Sequence, residues 1–168
     1  MYYKISDFIE DWKYELESTI KMLSNLNDES LTVKFNNDIR TPGRLVWHIV
    51  TSIGEMMHRT GLTFETVNDS APIPSTAKEI VDEYKRASDG LIKGIKEKWS
   101  DETLSIEDKI TGQGDMWSRG KTLGALVTHQ IHHRGQLTIV MRLAGLKVPG
   151  VYGPAKEEWV NYGMQPQE

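Results

Sequence analysis

Thr128-His129-Gln130-Ile131-His132-His133-Arg134-Gly135-Gln136 gathers three of the chain's five histidines into one short run. Histidine is the commonest metal ligand, and an α-helix advances about 100° per residue, so imidazoles four positions apart leave from neighbouring points on one face. His129 and His133 have that spacing. With His133 set at zero degrees, Leu126, Leu137, Val140 and Ala144 fall within roughly 40° of it, and His129 lies at the same angular distance on the other side. Both rings therefore share the stripe that faces the core. His132 is rotated by about 100°, onto a flank with Gln136 nearby, and reads as a boundary residue or an outer partner of a ligand.

Two imidazoles do not complete a catalytic metal site, which as a rule holds its ion with three protein donors and leaves one position open. The third donor has to come from another helix. His48 is the better candidate: it lies beside the Leu45, Ile49 and Met56 stripe of the second predicted helix and shares a face with Ser52 and Glu55. His58 is rotated by about 80° from His48 and sits near that helix's C-terminus, where the dipole favours an imidazolium, so it reads as a surface residue. Glu55 is either a solvated or paired carboxylate or a base beside the metal.

These residues resemble the DinB-like family, which includes the bacterial thiol S-transferases and shares a four-helix bundle with a three-histidine metal site. The family pattern has a histidine on helix two and H-x-x-x-H on helix four, commonly followed by Arg-Gly-Gln. Here these are His48, His129, His133 and Arg134-Gly135-Gln136, and Leu137 and Gly145 also fit. The resemblance covers the whole chain in element order and length, with diagnostic motifs on helices two and four. It implies an all-α four-helix bundle of the DinB/YfiT-like type, a long crossover between helices two and three, a metal near one end of the interhelical groove, and a homodimer.

The elements that must position these histidines are legible as amphipathic segments. The first runs from about Ile5 to Leu26, with Phe8, Ile9, Trp12, Leu16, Ile20 and Leu23 at helical spacing, an opening at Ser6-Asp7 and a close at Asn25, Asn27 and Asp28. Leu31 to Phe35 alternates apolar with polar residues and is expected to be a short extended connector. A second helix starts at Thr41 as N-cap with Pro42 in the first position and ends near Arg59-Thr60-Gly61. Leu62 to Ser75, with Asn68-Asp69-Ser70 and two prolines, is a long crossing loop. Helix three spans Ser75-Thr76 to Trp99, with Ile80, Val81, Tyr84, Leu91, Ile92 and Ile95 buried, and Gly90 and Gly94 weakening its middle. Leu104 to Trp117, through Thr111-Gly112-Gln113-Gly114-Asp115, forms a small extended hairpin before helix four, which covers about Lys121 to Leu143 and stops at Gly145. An irregular Pro149–Pro154 segment, a short acidic turn and a loose tail follow.

At 168 residues, with no linker-like stretch, the chain is read as one domain, 1–168. No apolar run reaches membrane-span length, and Met1-Tyr2-Tyr3-Lys4 lacks the layout of a secretory signal, so no membrane partner and a cytoplasmic location are expected. A formal charge of -4, with dispersed Lys and Arg, offers no basic surface for nucleic acid. The absence of cysteine excludes thiolate ligands and a cysteine nucleophile, leaving nitrogen and oxygen donors.

The expected function is that of a divalent-metal-dependent enzyme acting on a small molecule. The resemblance makes it a thiol S-transferase with a low-molecular-weight thiol as cosubstrate. Three imidazoles accept zinc or nickel, and also iron or manganese. A bound cation lowers the pKa of a coordinated thiol or water. The alternatives are a metal-dependent hydrolase in which Glu55 moves the proton, and a non-catalytic metal- or ligand-binding stress protein. Arg134 is either an anchor for an acidic substrate group or half of an ion pair between helices, and Trp47, Trp117 and Tyr152 either line the pocket or pack.

Overall fold

The computed structural model describes residues 1–68, 70–110 and 114–166. Its first long helix, α1 (Ile5–Leu23), is capped from a distance. Ser6 and Asp7 do not cap it; the Ile5 N–H donates to the Asp101 carboxylate at 2.8 Å. It also stops short of Leu26, because Asn25 and Leu26 bond three residues back, to Met22 and Leu23, and the Asn25 amide takes the Lys21 carbonyl at 2.8 Å.

The connector expected to be extended instead contains a 3-10 turn at Glu29–Thr32. Asn27 and Ser30 lock it, with Ser30 N–H on Asn27 Oδ1 at 2.8 Å and the Ser30 hydroxyl on the Asn27 carbonyl at 2.6 Å. Local side-chain bonds of this kind outcompete a strand that has no partner. The turn presses Leu31 onto α2 (Pro42–His58), where a Cβ on Gly43 would come within 2.6 Å of the Leu31 carbonyl. Helix α2 begins as expected, with the Thr41 hydroxyl accepting from Arg44 N–H at 3.2 Å and Pro42 in the first turn, and its exit is turned by Gly61 at φ +74.

A long loop leads to α3 (Ala77–Lys98), which opens on a reciprocal cap between Thr76 and Glu79. Gly90 sits in this helix for a reason of packing: a Cβ there would meet the Glu65 carbonyl at 2.7 Å, so the glycine lets the crossing loop lie against α3. A 3-10 turn (Asp101–Ser105) precedes β1 (Glu107–Lys109), which pairs antiparallel with β2 (Met116–Ser118), Asp108 opposite Trp117. The turn expected at Thr111-Gly112-Gln113 lies outside the described residues, as does Asp69 of the crossing loop. Ser118 caps α4 (Arg119–Leu143) by accepting from Lys121 N–H at 3.3 Å, which starts the helix before the expected Lys121, and Gly145 at φ +75 ends it. A last 3-10 turn, Lys156–Tyr162, follows.

Helix α1 packs mainly on α3 and α4, and α2 on the same two, so α1 and α2 occupy opposite corners of the bundle. Phe8, Trp12, Trp47, Ile49, Ile53, Met57, Tyr84, Leu91, Leu126 and Leu137 fill the centre. Among the described residues no helix is long and apolar enough to cross a membrane.

Candidate metal centre

The α2–α4 contact is the most extensive in the bundle, and it brings together three rings from two helices. His48 projects from the second turn of α2, flanked by the buried Trp47 and Ile49. His129 and His133 project from α4 between the buried Leu126 and Leu137. Ring centroids stand 4.4 Å apart for His129 and His133, 4.5 Å for His48 and His133, and 5.0 Å for His48 and His129. One nitrogen from each ring lies within 4.8 Å of the others. His133 is only 9% exposed, while His48 and His129 are half-buried.

Burial sets the electrostatics. Desolvation pushes the His48 imidazole down to about 4, helped by the neighbouring His133 and His129 and by Arg40 and Arg44. The same cause, followed by His133, His132 and Arg40, pushes His129 down to about 4. His133 is also lowered by burial, against a hydrogen bond to Gln136 that pulls the other way. The rings are therefore neutral at pH 7, the state in which imidazole is a ligand.

The donors fit a divalent cation. The Gln136 amide nitrogen lies 3.1 Å from His132 Nε2 and its oxygen 2.8 Å from His133 Nδ1, so the proton of His133 sits on Nδ1 and the Nε2 lone pair points at the group. His133 Nε2 and His129 Nε2 are 3.2 Å apart, close to the roughly 3.3 Å between tetrahedral nitrogen ligands at 2.0–2.1 Å from zinc. Only one proton can occupy that gap, and His129 Nδ1 is buried with no hydrogen-bond partner. Beside His133 opens a groove of about 470 Å³ whose walls include Arg40, Leu45, Gln136 and Ile139. A cleft of about 500 Å³ between α1 and α3, lined by Ile9, Trp12 and Ile92, has no histidine on its walls.

The other candidates lie elsewhere. His58 is exposed, beside Phe64, and the Glu55 carboxylate accepts from Arg59 at 2.8 Å without joining the histidines. Arg134 turns away from His133 into the bundle, where it pairs with Glu15 at 2.6 Å and donates to Thr19 and to the Tyr152 hydroxyl, both at 2.9 Å. Trp47 is core, its indole N–H on the Ala71 carbonyl at 2.9 Å, and Trp117 lies under Lys121 on the hairpin. Tyr152 leans over the Arg134 pair, its hydroxyl on Glu15.

Two residues near the site escaped the sequence reading. Gln130 is fully buried, donating to the Ile49 carbonyl at 2.9 Å and the Ser52 hydroxyl at 3.1 Å and accepting from Tyr84 at 3.2 Å, which ties α2, α3 and α4 together beside His129. A glutamine on the apolar face of a helix was the available signal. Arg40 precedes the α2 cap in a loop, where no periodicity marks it.

A helical bundle whose two best-packed helices present three neutral imidazoles to one point defines the class: a bundle protein with a candidate three-histidine metal centre. The chain belongs to the DinB family, whose profile matches residues 1–168. It is 41% identical over 165 residues to the uncharacterized protein YrdA of Bacillus subtilis (strain 168), covering 98% of each chain. The crystal structure of a DinB-like protein from Bacillus cereus ATCC 10987 superposes with a TM-score of 0.84 at 42% identity, over 90% of this chain and 100% of that one. A second DinB-like protein, YjoA of Bacillus subtilis, is 17% identical with a TM-score of 0.64 over 86% of this chain and 97% of the other, and shares the fold.

Proposed function

We propose that His48, His129 and His133 hold a divalent cation, zinc or nickel before iron or manganese, and that the protein is a metal-dependent transferase using a low-molecular-weight thiol on a small electrophile. The observation that carries this reading is the convergence of three neutral ring nitrogens within 4.8 Å of one another. When bound, such a cation lowers the pKa of a coordinated thiol so that a thiolate is available near neutral pH. The chain's own part is to present three protein donors, with no fourth among the described residues, to fix the His133 tautomer through Gln136, and to leave a groove beside His133 for a small molecule. Metal-assisted hydrolysis with Glu55 as base has less support, since that carboxylate is held by Arg59.

The test is elemental mass spectrometry on untagged protein and on His48→Ala and His133→Ala variants that still melt cooperatively. About one equivalent per chain, lost in both variants, is expected. Thiol consumed stoichiometrically with an electrophile by the wild type, and not by the variants, would extend the result from metal to transfer. Metal-free protein that takes up neither added zinc nor nickel would overturn the reading.

A further inference from the structure

The groove beside His133 has a composition of its own. Its lip is the segment Asp38-Ile39-Arg40, and its far wall is the last part of α4, with Ile139, Val140 and Leu143. Ile139 and Leu143 are 63% and 56% exposed and Ile39 36%, so three large apolar side chains stand in water around one opening. Apolar side chains gathered at a concave site, unlike ones scattered singly, point to a ligand.

Arg40 supplies the polar element. It is exposed, and among the described residues its guanidinium makes no ion pair or hydrogen bond. Its backbone is nevertheless held on both sides: Asn36 Oδ1 accepts from Asp38 N–H and Ile39 N–H, both at 2.9 Å, and Thr41 caps α2 immediately afterwards. Arg40 and His133 line the same groove. A guanidinium offers a planar fork that matches a carboxylate with two parallel hydrogen bonds. Asp38, on the same lip, is not paired with it and disfavours a polyanion.

We propose that this groove selects a small molecule bearing one carboxylate and an apolar body, with the carboxylate on Arg40 and the body along Ile39, Ile139 and Leu143, so that the remainder is presented at His133. The assignment names the substrate class of the proposed metal site and makes Arg40 its specificity residue. It rests on that reading for its catalytic meaning and not for the binding itself. Arg134, which the sequence left as either a substrate anchor or half of an ion pair between helices, is in the ion pair, with Glu15.

The test is a methyl- and amide-detected NMR titration of the full chain with hexanoate and with its neutral isostere hexanamide at pH 7.5, as purified and after chelator treatment. Shifts at Ile39, Ile139 and Leu143, with hexanoate binding about fivefold tighter than hexanamide, are expected in both preparations. Arg40→Gln should abolish that preference, Arg40→Lys should keep part of it, and Asp38→Asn should keep or raise it. Equal affinity for the two probes, a preference that survives Arg40→Gln, or the absence of shifts at this groove in both preparations would each overturn the proposal. Because the chelator-treated protein is titrated too, a failed metal site leaves the Arg40 preference standing, and a failed Arg40 preference leaves the metal content standing.

Discussion

Adjacent residues of α4 anchor two polar clusters that solve burial in opposite ways. Arg134 enters a cluster in which the charges and hydroxyls find partners: Glu15 and Thr19 on α1 and Tyr152 from the C-terminal segment. Burial also raises the Tyr152 hydroxyl to about 12, so it stays protonated and donates to Glu15. His133, one position earlier, enters a cluster whose members are all neutral and whose ring nitrogens face one another, with a buried nitrogen left unpartnered. A buried polar group without a partner costs about 1–3 kcal/mol, and His129 Nδ1 is such a group, as are Trp12 Nε1, Thr66 Oγ1 and Ser88 Oγ elsewhere in the fold. The satisfied cluster fastens α1 to α4. The other turns ring nitrogens from two helices toward one point.

The sharpest way to break this comparison is to strip a partner from each cluster. Glu15→Ala leaves the Arg134 guanidinium buried without its counter-charge, and chemical denaturation should show a loss of about 3–5 kcal/mol. Metal bound per folded chain should not change. His133→Ala should do the reverse: the metal-free variant melts close to the wild type, but the stabilisation that saturating zinc confers, about 2.7 kcal/mol at a hundredfold excess over Kd, disappears. If Glu15→Ala empties the metal site, or His133→Ala destabilises the metal-free protein as severely as Glu15→Ala does, the two clusters do not differ in kind.

The sequence carried the histidine cluster better than the Arg134 cluster, and the reason is physical. His129 and His133 are local, four residues apart on one helix, and His48 stands out because a histidine on an apolar stripe is conspicuous. The four helices were legible for the same reason: periodicity and caps such as Thr41 and Thr76-Glu79 are short-range signals. The Arg134–Glu15 pair joins residues far apart in the chain, and nothing local says which acid an arginine will meet. The Asp101 cap on α1 and the Leu31 turn against Gly43 are long-range in the same sense, so the cap of α1 and the connector differ from the reading, although the helix starts at Ile5 as expected. Arg40 lies in a loop, and its importance depends wholly on what α4 places opposite it.

A finer cut concerns Gln136, which belongs to the unsatisfied cluster without being a ligand. Gln136→Ala removes the acceptor that holds the proton on His133 Nδ1, and zinc affinity measured by competition with a chromophoric chelator should fall about tenfold. That is the low end for such partners, because Gln136 is exposed. No change in affinity would mean that packing alone orients His133.

The smallest effect expected is a pH dependence in the metal-free protein. His48 and His129 titrate at about 4 in the fold against about 6.5 in an unfolded chain. Between those values the unfolded state binds more protons than the folded one. Stability is therefore fully present above about pH 6.5 and drains away as the pH falls toward 4. Both rings are half-exposed and partly screened, so the loss should be smaller than that of Glu15→Ala. Thermal melts of chelator-treated protein from pH 7.5 to 4.5, beside His48→Gln with His129→Gln, measure it: the double variant should melt with a shallower dependence than the wild type. Equal slopes would mean that these imidazoles are hydrated enough to carry a proton in the fold, and the histidine cluster would no longer differ from the Arg134–Glu15 one by being neutral.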